Sequence, residues 1–480
     1  MWCVPPLLSY ARQLNQKQLG RGATPTYRLK PSWLNKTYHR PPVNQAEDPT
    51  PNHNPMHRVL GNFWILIRGR GAAAIMAFGA TALMARALGP TEFGLVILMQ
   101  TYVMLIRALF DFGSVEAMVR YGVPAHDISD KHTLGRLIKV CRRIDKQACV
   151  TATLLAFVLA PFAGPSMGMN QLQVIILMGY SLVLLTTQTG TATGILRIYD
   201  RFDILGRQMT IAPIIRFLGA GIAWRLNASI LVFAIIWASA YAAENIYMLW
   251  HARHKYKTKI KTELTGVSFK KATLSDFNGL KNFLWVSYWQ SNLDVLPKHI
   301  TTLLVGYLLG PAEAGLLRLA RELSSMLAKP AVLIRQVVFA DLTRSWQQGS
   351  NAFNLVAYRT AILGGGLGLL FVLISYLFGE YLLGSILGYQ FVGAKDVLTL
   401  LLLAASMDLA ASPIRSALYA MGSAAKALQI HLASTLVYLL LLIALSRQLG
   451  LIGAGLAAAA GAALTLTGMI ILLRSNKRPV

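Results

Sequence analysis

Acidic residues are scarce in this chain: 20 Asp and Glu stand against 46 Lys and Arg, and all charged residues together make up 14% of 480 positions. That is well below the roughly 25% of an ordinary soluble domain. Cysteine is nearly absent as well. Cys3, Cys141 and Cys149 have neither ligand spacing nor a plausible pairing, so they argue for no metal site and no disulfide. A nucleotide-binding loop is missing too: Gly364-Gly365-Gly366-Leu367-Gly368 lacks the Lys-Ser/Thr that grips phosphate and opens an apolar run. Its glycines, like the small residues from Gly453 to Ala463, read as sites of close helix packing. No His, Asp or Glu group has catalytic spacing, and no cofactor is implied.

What the chain has in abundance is apolar sequence. Hydrophobic residues make up 55% of it, with several stretches of roughly 18 or more residues nearly free of charge, the length that crosses about 30 Å of hydrocarbon. The cations lie in short loops between these runs and in a leading tail, so the membrane surface explains them and nucleic acid does not. Residues 1–57 stand apart, with nine prolines between Pro5 and Pro55, scattered cations and no apolar signal core. Two readings of that tail stay open: disorder, or a genuine initiator at Met56.

The apolar runs are organised around Ala85-Arg86-Ala87-Leu88-Gly89-Pro90-Thr91-Glu92-Phe93-Gly94, which returns as Tyr307-Leu308-Leu309-Gly310-Pro311-Ala312-Glu313-Ala314-Gly315. Gly offers a left-handed exit and Pro cannot continue the preceding helix, so each copy reads as a tight turn between two helices. Spans are expected at about 61–87, 93–119, 147–166, 171–195, 205–224, 229–250, 282–309, 312–341, 357–379, 396–421, 428–446 and 451–473. Six spans separate the turns, which puts both on one side of the membrane. The expected architecture is an all-α polytopic membrane protein: about twelve transmembrane helices in two parallel six-helix repeats around a central cavity. A lobe of residues 58–250, a basic linker of 251–281 and a lobe of 282–480 follow the tail.

Loop charge sets the expected orientation. Lys131 to Lys146, Arg197 to Arg207, Arg253 to Lys281 and Arg474 to Arg478 are rich in cations, whereas the opposite loops hold little beyond Arg225, Lys395 and Arg447. By the positive-inside rule both termini are cytoplasmic and both Leu-Gly-Pro turns face out. The linker charge serves either topogenesis or contact with the anionic inner leaflet.

Arg86 to Gly94, then Asp111-Phe112-Gly113 with Arg120-Tyr121, Gly194-Ile195-Leu196-Arg197 with Phe202-Asp203, the second Leu-Gly-Pro, and Gly450 to Gly455 resemble bacterial polysaccharide flippases. These form the oligosaccharide-lipid branch of the superfamily that also holds multidrug extruders, and the resemblance covers roughly residues 58–473. It implies a non-enzymatic carrier in the bacterial cytoplasmic membrane. Such a carrier moves a polyprenyl-pyrophosphate-linked oligosaccharide outward by alternating access of two lobes. Without a nucleotide site it is driven either by a gradient, with a coupling ion, or by consumption of substrate on the far side, and glycosyltransferases and a glycan polymerase are the candidate partners. A drug-cation antiporter of the same fold, which predicts intramembrane acids in excess, and a membrane glycan polymerase or ligase, which needs a larger outer domain than Gly379 to Lys395, are the competing readings.

An anionic headgroup needs cations within the membrane, where each costs roughly 2.5–3.5 kcal/mol. Arg107, Arg216, Lys298, Arg318, Arg321 and Lys329 meet that description. A second tier comprises Arg68 and Arg70, which with Arg335 lie near the cytoplasmic boundary and can snorkel, together with Asp294, Asp408 and Arg415. Asp294 with Lys298, and Arg318 with Glu322, are four apart and can neutralise each other; Arg107 has only Asp111 nearby on its helix. Pro213, Pro297, Pro330 and Pro413 stand beside these charges, either breaking the helices at the binding level or merely tolerated. Trp285, Tyr288 and Trp289 either stack on sugar or anchor the helix, and Tyr102 is a weaker candidate for stacking. His299 and His431 could titrate.

Overall fold

A computed structural model describes residues 55–258, 272–325 and 352–475, excepting the side chains of 55–70, Asp294 and 352–354. Among these residues every regular element is helical and no strand occurs. All packing given below lies within the unit Leu60–Val480.

The first helix, α1 (Pro55–Leu109), is two arms joined at Gly89, whose φ of 69° and ψ of 175° are open to glycine and strained for any other residue. Pro90 then starts the second arm, the position where a missing N–H costs nothing. Arms α1a (55–88) and α1b (90–109) are the expected first hairpin. The expected second span, however, stops at Leu109. Phe110–Gly113 is non-helical, Gly113 adopts a left-handed φ of 70°, and a separate helix α2 (Ser114–Asp127) follows.

Next come α3 (Lys131–Ser166), opened by Asp130 accepting from the Thr133 N–H at 2.9 Å, and α4 (Gln171–Ser181), opened by a reciprocal Asn170–Gln173 capping box. α3 begins well before the expected third span. The expected fourth span is interrupted: a 3-10 turn over Leu182–Thr186 and an irregular Thr187–Thr189 precede α5 (Gly190–Ile198). Asp145 of α3 caps that restart, accepting from the Thr191 backbone at 2.7 Å and its hydroxyl at 2.6 Å. α6 (Phe202–Arg225) and α7 (Ile230–Tyr256) pack as a pair.

In the second half, α8 (Leu280–Leu309) ends at Gly310, φ 102°, and α9 (residues 311–325) leaves it, repeating the α1 hairpin. α10 (Ala352–Leu387), α11 (Lys395–Ala420) and α12 (Ala424–Ser475) pack in sequence, and α12 breaks at Gly450 into α12a (424–449) and α12b (451–475). The glycines of α10 do pack closely: a Cβ at Gly368 would lie 2.4 Å from the Ser406 side chain of α11.

By length and composition, seven helices among the described residues can cross a membrane, two of them the kinked α1 and α12. The expected spans at 205–224 and 282–309 are not among the seven, and their helices α6 and α8 carry Arg216 and Lys298. The prolines do not break them: α6 runs through Pro213, α8 through Pro297 and α11 through Pro413. The break at 182–189 contains no proline, and its carbonyls take hydrogen bonds from Thr186, Thr187 and Gln188 side chains.

The two Leu-Gly-Pro turns meet. A Cβ at Gly94 would lie 1.8 Å from the Pro311 carbonyl oxygen, and a Cβ at Gly315 would lie 3.1 Å from the Pro90 carbonyl oxygen. In each copy the glycine four residues after the proline receives the other copy's proline, a reciprocal contact of the kind two-fold symmetry produces. Phe93 packs edge-on against Phe391 at 6.0 Å, and the Arg86 guanidinium donates to the Ser385 carbonyl. A second core joins α2, the first turns of α3, α5 and residues 272–284, with Met118, Leu137, Ile195 and Leu280 buried in it. Thus α8 touches the first half at its start, and its end packs on α12 through Thr301 and Tyr438, 2.9 Å apart.

Candidate functional site

One face of α7 assembles the first-half site. Trp237, Tyr241 and Glu244 fall at i, i+4 and i+7, so they stand in a row. Arg107 of α1b donates to the Tyr241 hydroxyl and lies 5.5 Å from the centre of its ring. Arg216 of α6 lies 5.6 Å from the centre of the Trp237 ring, a cation–π distance, while its Nε is buried and has no hydrogen-bond partner. Glu244 accepts from Gln208 Nε2 at 2.9 Å and interacts electrostatically with both Arg107 and Arg216. Both cations therefore interact with that carboxylate, and Arg107 interacts with Asp111, just past the end of α1b, as well. Neither Glu244 nor Tyr241 nor Gln208 was expected from helix spacing, which reports only neighbours on the same helix.

The second-half cations are held differently. Arg318 Nε stands 3.6 Å from Glu322 Oε2, an ion pair longer than a hydrogen bond, and that Nε is also buried without an acceptor. The internal pairing anticipated for these two residues is present. Glu322 in addition receives a long contact, 3.5 Å, from the Thr81 hydroxyl of α1a. Arg321, which has no acid on its own face, donates instead to the Lys298 carbonyl and to Thr302 Oγ1, both at 3.0 Å, and so braces α9 against α8.

Across the halves, Arg216 and Arg318 interact as like charges. Asp408, left unassigned by spacing, interacts electrostatically with Arg415 two turns along α11, with His431 of α12 and with Lys298 of α8. The structure thus draws Arg107 and Arg216 into one group, Arg318 and Arg321 into a second on α9, and Lys298, Asp408 and Arg415 into a third. Lys329 lies outside the described residues, as do the side chains of Arg68, Arg70 and Asp294. His299 interacts with Arg318, Arg321 and Lys298.

The aromatic groups divide as well. Tyr102 donates to the Ala156 carbonyl at 2.7 Å from a buried position and is a packing residue. Tyr288 donates to the Leu109 carbonyl at 3.2 Å and stacks on Phe112 at 5.5 Å, closing the α1b–α2 junction against α8. Trp285 and Trp289 remain 57% and 47% exposed beside it, which leaves both anchoring and stacking open to them.

Comparison with known proteins agrees with this fold. The chain is 24% identical over 327 residues, 68% of its length and 91% of the relative's, to the inner membrane protein YghQ of Escherichia coli strain K12. Its structure is similar to the lipid II flippase MurJ in an inward closed conformation, with TM-score 0.67, 12% identity and coverage of 85% of this chain and 87% of that one. It is also similar to an inward-facing multidrug resistance transporter of the MATE family and MOP superfamily, with TM-score 0.61, 13% identity and coverage of 84% and 95%. Both likenesses establish the fold, that of a polytopic helical membrane protein. Residues 59–346, more than half of the sequence, match the sequence model for polysaccharide biosynthesis proteins, and it is to that family that the chain belongs.

Proposed function

We propose that this protein carries a polyprenyl-pyrophosphate-linked oligosaccharide from the inner to the outer leaflet of the bacterial cytoplasmic membrane, with both termini cytoplasmic and the two halves opening alternately. The observation that carries this reading is that two of the three buried guanidinium Nε atoms without acceptors among the described residues, those of Arg216 in one half and Arg318 in the other, belong to cations that interact as like charges. Like charges gathered inside a membrane, each with an unused donor, suit a multiply charged anion that enters between them. The meeting of the Leu-Gly-Pro turns supports closure at the outer ends, which leaves the opposite side for entry. Glycosyltransferases supply such a substrate and a glycan polymerase consumes it, and the chain makes and breaks no covalent bond. Glu244 and Asp408 raise the count of interior acids, the feature expected of a drug-cation antiporter, but Arg216 and Arg318 each keep a buried guanidinium donor without an acceptor.

The test is complementation. Cells lacking the gene should accumulate lipid-linked oligosaccharide on the inner leaflet, and Arg216→Ala, at wild-type protein level, should fail to clear it. Full clearance by Arg216→Ala together with Arg318→Ala would remove this reading.

A further inference from the structure

The headgroup reading does not use Glu244, the acid on the α7 face. Gln208 of α6 donates to it at 2.9 Å, Arg107 of α1b and Arg216 of α6 interact with it electrostatically, and Arg107 interacts with Asp111 as well. Tyr241 shares its helix face, and α5 with its preceding turn meets α7 lower down, where Asn245 donates to Thr186 Oγ1 at 3.1 Å. Tyr180 of α4 and Arg318 of α9 meet this group through Arg216. With Glu244 ionised, its carboxylate is a counter-charge to both first-half cations, alongside Asp111 for Arg107. A diphosphate that takes up Arg107 and Arg216 removes that counter-charge and sets a like charge beside the carboxylate.

We propose that Glu244 is a competitor for its own anion site and takes up a proton from the adjoining solvent when an anionic diphosphate binds. The inference rests on the headgroup reading above and adds a coupled ion to it. The balance is simple: the carboxylate gains one proton from water, Arg107 and Arg216 exchange one anionic partner for another, and no covalent bond between heavy atoms changes. Two consequences follow from charge alone. One negative charge of the bound headgroup is compensated while it sits in the membrane, where an uncompensated charge is costly. Binding and protonation also become reciprocal: whatever factor the anion contributes to proton affinity, the proton contributes to anion affinity. Gln208, whose amide donates to the carboxylate, can rotate to accept from the carboxylic acid, so the protonated state keeps a partner.

The experiment uses full-length protein in detergent and inorganic pyrophosphate as the probe. Calorimetry in buffers of different ionisation enthalpy should register about one more proton taken up per bound pyrophosphate by wild type than by Glu244→Gln. Pyrophosphate's own titration is common to both proteins and cancels in that difference. The ratio of wild-type to variant Kd should rise with pH, approaching about tenfold per pH unit for one linked proton. If the variant does not fold, proton uptake by wild type beyond that of pyrophosphate alone decides the matter. A flat ratio from pH 6 to 8, or no such extra uptake, overturns the proposal while leaving the headgroup site intact. Absence of pyrophosphate binding by wild type at every pH defeats the headgroup reading itself and the present proposal with it.

Discussion

The two halves of the chain meet through equivalent turns but hold their cations in unlike ways. At the turns, Gly94 lies under Pro311 and Gly315 under Pro90, each four residues past its own proline. Deeper in, the first half surrounds Arg107 and Arg216 with aromatic rings and a shared Glu244, whereas the second half pairs Arg318 with Glu322 on its own helix and ties Arg321 to a backbone carbonyl. Duplication was kept where backbone must touch backbone. It was abandoned where charge must be left available, as at Arg216, whose buried Nε has no acceptor.

The turn contact gives the largest expected effect. Gly94→Ala would put a methyl group within 1.8 Å of the Pro311 carbonyl oxygen, which only backbone movement can relieve. That places it at the upper end of overpacking, about 3 kcal/mol or more. Gly315→Ala meets its nearest neighbours at 3.0 to 3.1 Å and should cost about 1 kcal/mol. Thermal unfolding of the purified variants measures both. A Gly94→Ala protein that melts with wild type would show that the turns do not meet so closely.

The charges should separate function from stability. Arg216→Ala should weaken pyrophosphate binding by about tenfold to a hundredfold, the worth of a charge-assisted hydrogen bond, with no loss of thermal stability. Arg321→Ala should do the reverse, losing about 1–2 kcal/mol of stability as Thr302 and the Lys298 carbonyl lose a donor, with pyrophosphate affinity close to wild type. Titration calorimetry and melting on the same preparations read both arms. The opposite pattern would make Arg321 the ligand residue and Arg216 the brace.

These contrasts explain what the sequence made legible. The turns could be read because glycine and proline act on their own backbone, and the Arg318–Glu322 pair because four residues make one helical turn. The partners of Arg107 and Arg216 lie on another helix, and no spacing rule reaches across. A signal was available nonetheless: Glu244 is an acid within an expected apolar span, and Trp237 and Tyr241 share its face. The break before α2 was hidden because apolar residues continue past it, although Asp111-Phe112-Gly113 ends in the glycine that takes the left-handed conformation. Proline was open to two readings, breaker or tolerated residue, and apart from Pro330, which lies outside the described residues, the second holds. Pro213, Pro297 and Pro413 sit in continuous helices, whereas the break at 182–189 runs through threonines and holds no proline.

The smallest effect tests how the second half is fastened to the first at the start of α8. Asp276, just before that helix, accepts from the Thr273 backbone N–H at 2.8 Å and pairs with Arg136 of α3 at 2.5 Å. The Thr273 N–H first, and then the Arg136 guanidinium, hold the Asp276 carboxyl below the usual carboxylate range. A group whose folded value is depressed stabilises fully above its unfolded value, about pH 3.9, and loses that contribution as the pH falls through the lower folded value. Asp276 is accessible to solvent, so the effect is local. At pH 7 Asp276→Asn should speed amide exchange over residues 272–284 relative to wild type and leave the contact between the Leu-Gly-Pro turns unaltered. As the pH falls through the depressed folded value, wild type loses the same charge and the two proteins should converge. A difference that persists undiminished at low pH would mean that the carboxylate's charge does not fasten α8, and that the apolar contacts of Leu280 and Leu284 hold it alone.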